Sequence, residues 1–184
     1  NTNILLIMSL SVIIGCMFSG KTSELQKIAR RNRNINRKVL IINHEKDKRY
    51  TSESKIMTHD LVGLECVNCH DLMATDIIQS KAYKDADVIC INEGQFYKNL
   101  TSFCNSAANI DSKHLHVCGL DGDYEQQPFG EMLSLIPMAD SVIKLSAFCK
   151  GCNDGTLGVF TKRMTQSTDI ILIGGSETYI PVCR

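Results

Sequence analysis

The chain has 184 residues, 20 Lys plus Arg against 20 Asp plus Glu, and nine cysteines. That length suits one domain with a sizeable core and at most a small appendage, and zero net charge argues against a broad nucleic-acid surface. Nine thiols, several inside apolar runs, read as buried cysteines and metal ligands of a reducing compartment, the cytoplasm, and exclude a small secreted disulfide scaffold.

Residues 5–14 are apolar and run into Ile13-Ile14-Gly15-Cys16, which superficially matches a lipoprotein cleavage site. Asn1-Thr2-Asn3 lacks the positive charge of an export signal, and cutting before Cys16 would destroy the motif that follows. A buried first strand is the expectation. No run reaches the ~20 apolar residues of a membrane span, so no membrane partner is expected. The chain starts without Met, which suggests trimming.

Gly15-Cys16-Met17-Phe18-Ser19-Gly20-Lys21-Thr22 fits G-x-x-x-x-G-K-[ST], the phosphate-binding loop. Glycines let the backbone turn tightly, so that the amides of Gly15, Met17, Phe18, Ser19 and Gly20 and the next helix N-terminus face phosphate oxygens. Lys21 adds a charge on the β- and γ-phosphates of ATP, and Thr22 offers a hydroxyl to Mg²⁺. A glycine-rich turn with a solvated lysine would explain neither the Lys-Thr pair nor its spacing.

Leu25, Ile28 and Ala29 then share a helical face until Asn34-Ile35-Asn36 breaks the pattern. The cluster Arg30, Arg31, Arg33, Arg37 and Lys38 reads as a solvated helix end favoured by the dipole. Residues 38–43 form a buried strand, 44–60 a polar loop ending in Thr58-His59-Asp60, 61–67 a short strand and 71–84 a helix. Residues 87–91 are again a buried strand, followed by a helix at 98–109 and a strand at 114–120 in which His114 and His116 share one side. A helix is expected between Pro128 and Pro137. Strand signals at 141–145, 158–161 and 170–173 surround Cys149-Lys150-Gly151-Cys152. Alternating strands and helices imply a three-layer α/β fold with a mostly parallel sheet and ligands at the strands' carboxyl ends. The expected division is an α/β domain at 1–145 and a smaller β-rich lobe at 146–184.

The strand at 87–91 ends in Asn92-Glu93, where a P-loop protein places a carboxylate near Mg²⁺. Asn92 holds the usual Asp position, and Glu93 is placed to act as general base on an acceptor hydroxyl. Phe96 and Tyr97 offer a face for a planar base or, alternatively, belong to the core.

These stretches, with Lys48-Arg49-Tyr50, Thr58-His59-Asp60, Leu120-Asp121-Gly122-Asp123-Tyr124, Pro128-Phe129-Gly130, Thr161-Lys162-Arg163 and Ile173-Gly174-Gly175 through Tyr179 to Val182-Cys183-Arg184, resemble the type II thymidine kinase family in order, from about Leu10 onward. The resemblance implies a RecA-like P-loop NTPase fold and transfer of the ATP γ-phosphate to the 5′-hydroxyl of thymidine, deoxyuridine being a further candidate. It implies Glu93 as catalytic base, and Thr22, Asp60 and Asn92 near Mg²⁺. Thymidine would be held by Phe96, Tyr124 and a "lasso" built from Thr161, Arg163, Gly174, Gly175 and Tyr179. It further implies a homotetramer, inhibition by dTTP, and a structural Zn²⁺ held by Cys149, Cys152 and Cys183, whose fourth ligand would lie two residues past Arg184.

Cys16 stands where the family has Pro, Asn92 where it has Asp, and Tyr124 where it has Phe. The string Cys66-Val67-Asn68-Cys69-His70 matches haem attachment or half a zinc site on paper, but is read as two unligated thiols. Two other readings compete with the kinase: a P-loop ATPase using water as acceptor, and a nucleotide- and zinc-binding homologue without turnover, which Asn92 favours.

Overall fold

The computed structural model describes residues 8–47, 55–57 and 63–184. The first strand, β1 (Ser9–Gly15), delivers the glycine-rich turn, which opens α1 (Lys21–Asn34). There follow β2 (Val39–His44), an antiparallel pair β3 (Lys55–Met57) and β4 (Gly63–Glu65), β5 (Val67–Cys69), two short helices α2 (Thr75–Ile78) and α3 (Lys81–Asp85), β6 (Val88–Ile91), α4 (Leu100–Asn109) and β7 (His114–Gly119). With β8 (Ser141–Leu145) these strands build a six-stranded sheet in the order β5-β2-β6-β7-β1-β8, every pairing parallel.

Both faces of the central strands are covered, which is why their sequences are apolar without alternation. Alternate residues still go to opposite sides. Ile13, Ile41, Val88, Cys90 and Cys118 meet Leu25 and Ala29 of α1. Val12, Ile14, Ile89, Ile91 and Val117 meet Phe103, Cys104 and Ala107 of α4. Ile89 and Ile91 are fully buried, each contributing about 1.5–3 kcal/mol. Cys90 and Cys118 behave as the small buried hydrophobes expected of them.

Three local expectations are corrected. The helix read at 71–84 is split, because the Ser80 hydroxyl donates to the Ile77 carbonyl at 2.7 Å, closing α2, and accepts from the Tyr83 amide at 3.0 Å, opening α3. The helix between the two prolines is a 3₁₀ segment over Met132–Met138. Pro128 is bridged to Gly122 and Gly130 has φ 59°, so winding begins only afterwards, with Met132 and Leu135 buried three apart. Residues 170–173 form no strand: the carbonyls of Ile170 and Leu172 bond to side chains instead of a ladder.

Beyond β8 lie β9 (Ala147–Phe148) paired with β10 (Leu157–Gly158), and β11 (Phe160–Arg163) paired with β12 (Tyr179–Val182), both antiparallel. No helix among the described residues is long and apolar enough to cross a membrane.

Candidate active site

The turn after β1 has the backbone its glycines require. Gly15 has φ 149°, and a Cβ there would meet the Leu145 carbonyl at 2.3 Å. Gly20 has φ 84° with open space around it, so conformation alone demands glycine. Ser19 Oγ and Lys21 Nζ both donate to the Cys16 carbonyl, at 2.8 and 2.6 Å. Cys16, buried and with its thiol pushed up in pKa by burial, donates to the Gly158 carbonyl at 3.2 Å. The Met17 amide donates to Thr161 Oγ1 at 3.0 Å. The Cys16 thiol and the Met17 main-chain amide therefore tie the start of the loop to β10 and β11.

At the neighbouring strand end, Thr22 Oγ1 donates to Asn92 Oδ1 at 3.3 Å. Glu93 follows in the left-handed region (φ 54°, ψ 43°), a strained conformation for a non-glycine residue. It is 9% exposed, and Gln95 Nε2 donates to its Oε2 at 2.5 Å. Gln95 is itself fixed, its Oε1 accepting from the Leu120 amide at 2.9 Å.

A cavity joins Met17 of the loop, Glu93 and the segment from Ile170 to Gly174. Phe96 lines it, edge-on to Phe129 with centroids 5.8 Å apart, whereas Tyr97 is a core residue at 1% exposure. Tyr124, Thr161, Arg163, Gly174 and Tyr179 also line it. Gly175 stands outside the lining.

Arg163 turns inward on its own segment. Its Nη1 donates to the carbonyls of Ser167 and Asp169, and its Nη2 to the Ile170 carbonyl at 3.2 Å and Tyr179 Oη at 2.7 Å. The guanidinium lies 3.8 Å over the Tyr124 ring. Tyr124, the unexpected hydroxyl, donates to the Thr168 carbonyl at 3.2 Å, and Tyr179 Oη to the Leu172 carbonyl at 2.8 Å. Residues 164–178 are thus held by three side chains reaching main-chain oxygens.

The sulfurs of Cys149, Cys152 and Cys183 lie within 4.8 Å of one another. Amides of Cys152 and Cys183 donate to Cys149 Sγ at 3.4 and 3.2 Å and hold that thiol down at about 6, while Cys152, hydrogen-bonded to the sulfurs of Cys183 and Cys149, is pushed up to about 12. Thiolate-favouring amides around clustered sulfurs suit Zn²⁺, whose coordination is tetrahedral. These are three of four corners among the described residues. His70 is exposed and outside the cluster. Cys66 and Cys69 are not part of it either; burial pushes their thiols up to about 12 and about 11.

Lys48-Arg49-Tyr50, His59 and Asp60, the last expected near Mg²⁺, lie outside the described residues. Sequence reasoning gave no role to Gln95, Phe129 or Asn43; for Gln95 the available signal was an amide two residues past a buried carboxylate.

A loop of the P-loop pattern that shares one cavity with a constrained carboxylate and aromatic side chains fits the class of P-loop phosphotransferases. The profile of the family described as Thymidine kinase matches residues 8–184. A thymidine kinase of Oryza sativa subsp. japonica is 43% identical over 175 residues, 94% of this chain and 64% of that protein. One from Rabbit fibroma virus (strain Kasza) is 41% identical over 173 residues, 94% of this chain and 92% of that one, and the cytosolic thymidine kinase of Homo sapiens 38% over 175, 95% and 71%. The chain therefore spans just under two thirds of the rice relative's length. It belongs to the thymidine kinase family, whose members are ATP-dependent phosphotransferases.

Proposed function

We propose that this chain transfers the γ-phosphoryl group of ATP to the 5′-hydroxyl of thymidine, with deoxyuridine as a second acceptor, giving dTMP in cytoplasmic pyrimidine salvage. The observation that carries the reading is the shared cavity, in which Met17 of the phosphate loop and Glu93 face the same space as Phe96.

In this mechanism the loop amides and Lys21 hold the ATP phosphates, Lys21 exchanging its bond to the Cys16 carbonyl for one to phosphate oxygen. Thymine lies against Phe96, and residues 164–178 close over its edge through their backbone. The Glu93 carboxylate, oriented by Gln95, takes the proton of the 5′-hydroxyl as that oxygen bonds to the γ-phosphorus and the bond to the β–γ bridging oxygen breaks, releasing ADP. The Thr22 oxygen, whose proton goes to Asn92 Oδ1 at 3.3 Å, is a hard donor that suits Mg²⁺, with Asn92 beside it at the end of β6; the ion would neutralise charge on the β- and γ-phosphates. Asp60 is assigned to the same metal side. Zn²⁺ is assigned to Cys149, Cys152 and Cys183, where it staples β9 to the segment after β12.

We assign a homotetramer, feedback inhibition by dTTP, and no nucleic-acid partner. Val142 and Ile143, exposed on the edge strand β8, support self-association. The sheet's completion at Leu145 supports dividing the chain into 1–145 and 146–184. ADP formation that depends on added thymidine tests the reading; equal ADP release without nucleoside would make the protein an ATPase. Asn92, neutral where a carboxylate is usual, favours a second reading, a homologue that binds nucleotide without turnover, which the same assay would reveal as ATP binding without ADP.

A further inference from the structure

Three adjacent strand ends place Asn43, Asn92 and Cys118 in a row beneath the first turn of α1. The registers Ile42↔Ile91 and Ile91↔Val117 bring the residues after them side by side. Asn43 and Asn92 are each 1% exposed. The Asn92 amide hydrogen is also fixed, donating to the Ile42 carbonyl at 2.9 Å.

Within this row the side-chain amide of Asn92 has a defined sense. Its Oδ1 accepts from Thr22 Oγ1 at 3.3 Å and from Cys118 Sγ at 3.0 Å, using both acceptor sites of the carbonyl. Its Nδ2 donates to Asn43 Oδ1 at 2.8 Å. Turning the amide over would set Oδ1 against Asn43 Oδ1, acceptor against acceptor, and aim an N–H at the Thr22 and Cys118 donors. With Asn43 oriented as it stands, its oxygen disfavours that inversion.

We propose that Asn43 is a positioning residue that aims the Asn92 carbonyl at Thr22, so that a neutral amide pair, in place of a carboxylate, orients the hydroxyl on the metal side of the phosphate loop. With its proton committed to Asn92, the Thr22 oxygen keeps its lone pairs for a cation. The proposal rests on the Mg-nucleotide reading above. It explains how this chain carries Asn92: charge is given up, but orientation is kept by a partner on the next strand.

The test is ATP affinity measured calorimetrically in excess Mg²⁺ and again in EDTA, with thermal melting of each variant alongside. Asn43→Leu matches the side chain in size and removes the acceptor, and should cut the Mg²⁺-dependent gain in ATP affinity about tenfold, the scale of one misdirected buried hydrogen bond, while affinity in EDTA stays within about threefold. Asn43→Asp keeps an acceptor for Asn92 Nδ2 and should retain the gain. If the leucine variant does not fold, Asn43→Ser, whose hydroxyl is too short to reach across, takes its place in the same comparison. An unchanged Mg²⁺ gain in a folded variant, equal losses with and without Mg²⁺, or failure of the aspartate to retain the gain would overturn the assignment of Asn43 alone. A wild-type chain that binds no ATP in either condition would overturn the kinase reading and this proposal together.

Discussion

Glu93 is held in a left-handed backbone and by Gln95 Nε2, so its carboxylate is constrained before substrate arrives. Glu93→Gln keeps that shape and removes the proton acceptor. Turnover should fall at least ~100-fold with ATP affinity retained, and a loss under tenfold in a steady-state kinase assay would take the base role from Glu93. Phe96, on the cavity wall, should contribute about 1–3 kcal/mol to thymidine binding through stacking, so Phe96→Ala should raise the thymidine Kd by that amount and leave ATP affinity unchanged. His116 illustrates a different residue-scale effect. Burial first, then His114 and Arg37, lower its pKa from the ordinary 6.5 to about 4, and its Nδ1 is buried without a hydrogen-bond partner. Above pH 6.5 folded and unfolded chains are both neutral there. As pH falls from 6.5 toward 4 the unfolded chain binds a proton that the fold refuses, so stability declines across that window by up to about 3 kcal/mol. Urea unfolding from pH 7 to 4 should show a shallower decline for His116→Gln, and identical slopes would exclude His116 as the source.

Among elements, residues 164–178 depend chiefly on the Arg163 guanidinium, with Tyr124 and Tyr179 beside it. Arg163→Met should raise the thymidine KM about tenfold or more and expose 164–178 to proteolysis, with ATP affinity kept; Arg163→Lys should fail to rescue, because an ammonium cannot span carbonyls that a planar fork reaches. Cleavage patterns and kinetics equal to wild type would show that this segment holds itself. The same segment marks where sequence legibility stops. The phosphate loop and the parallel strands are readable because glycine spacing and β-branched runs are local requirements. The run at 170–173 looks like a strand for the same reason, yet its carbonyls are satisfied by Arg163 and Tyr179 Oη, side chains at the ends of a hairpin that no periodicity locates. Ser80 splitting a helix is legible only once both of its hydrogen bonds are known. Phe96 and Tyr97, adjacent and similar, take opposite places because the 3₁₀ turn at Gly94–Phe96 directs one to the cavity and the other to the core.

For the whole molecule, the thiol cluster should carry about one Zn²⁺ per chain, and Cys152→Ser should reduce metal retention. Chelation should lower the melting temperature by roughly 5–10 °C, since metal-binding free energy here is ordering free energy. A metal-free protein melting identically with and without chelator would remove zinc from the fold. The cluster, the hairpin β11–β12 and the phosphate loop form one mechanical path, because Cys16 and Met17 bond to Gly158 and Thr161. A loop that grips ATP is then also stiffening the scaffold from which residues 164–178 hang. Thermodynamic reciprocity makes the traffic symmetrical: whatever factor bound ATP analogue adds to thymidine affinity, bound thymidine must add to the analogue's. Calorimetry in both orders measures that factor. In Thr161→Val, which severs the Met17 link and leaves that of Cys16, the factor should shrink toward one.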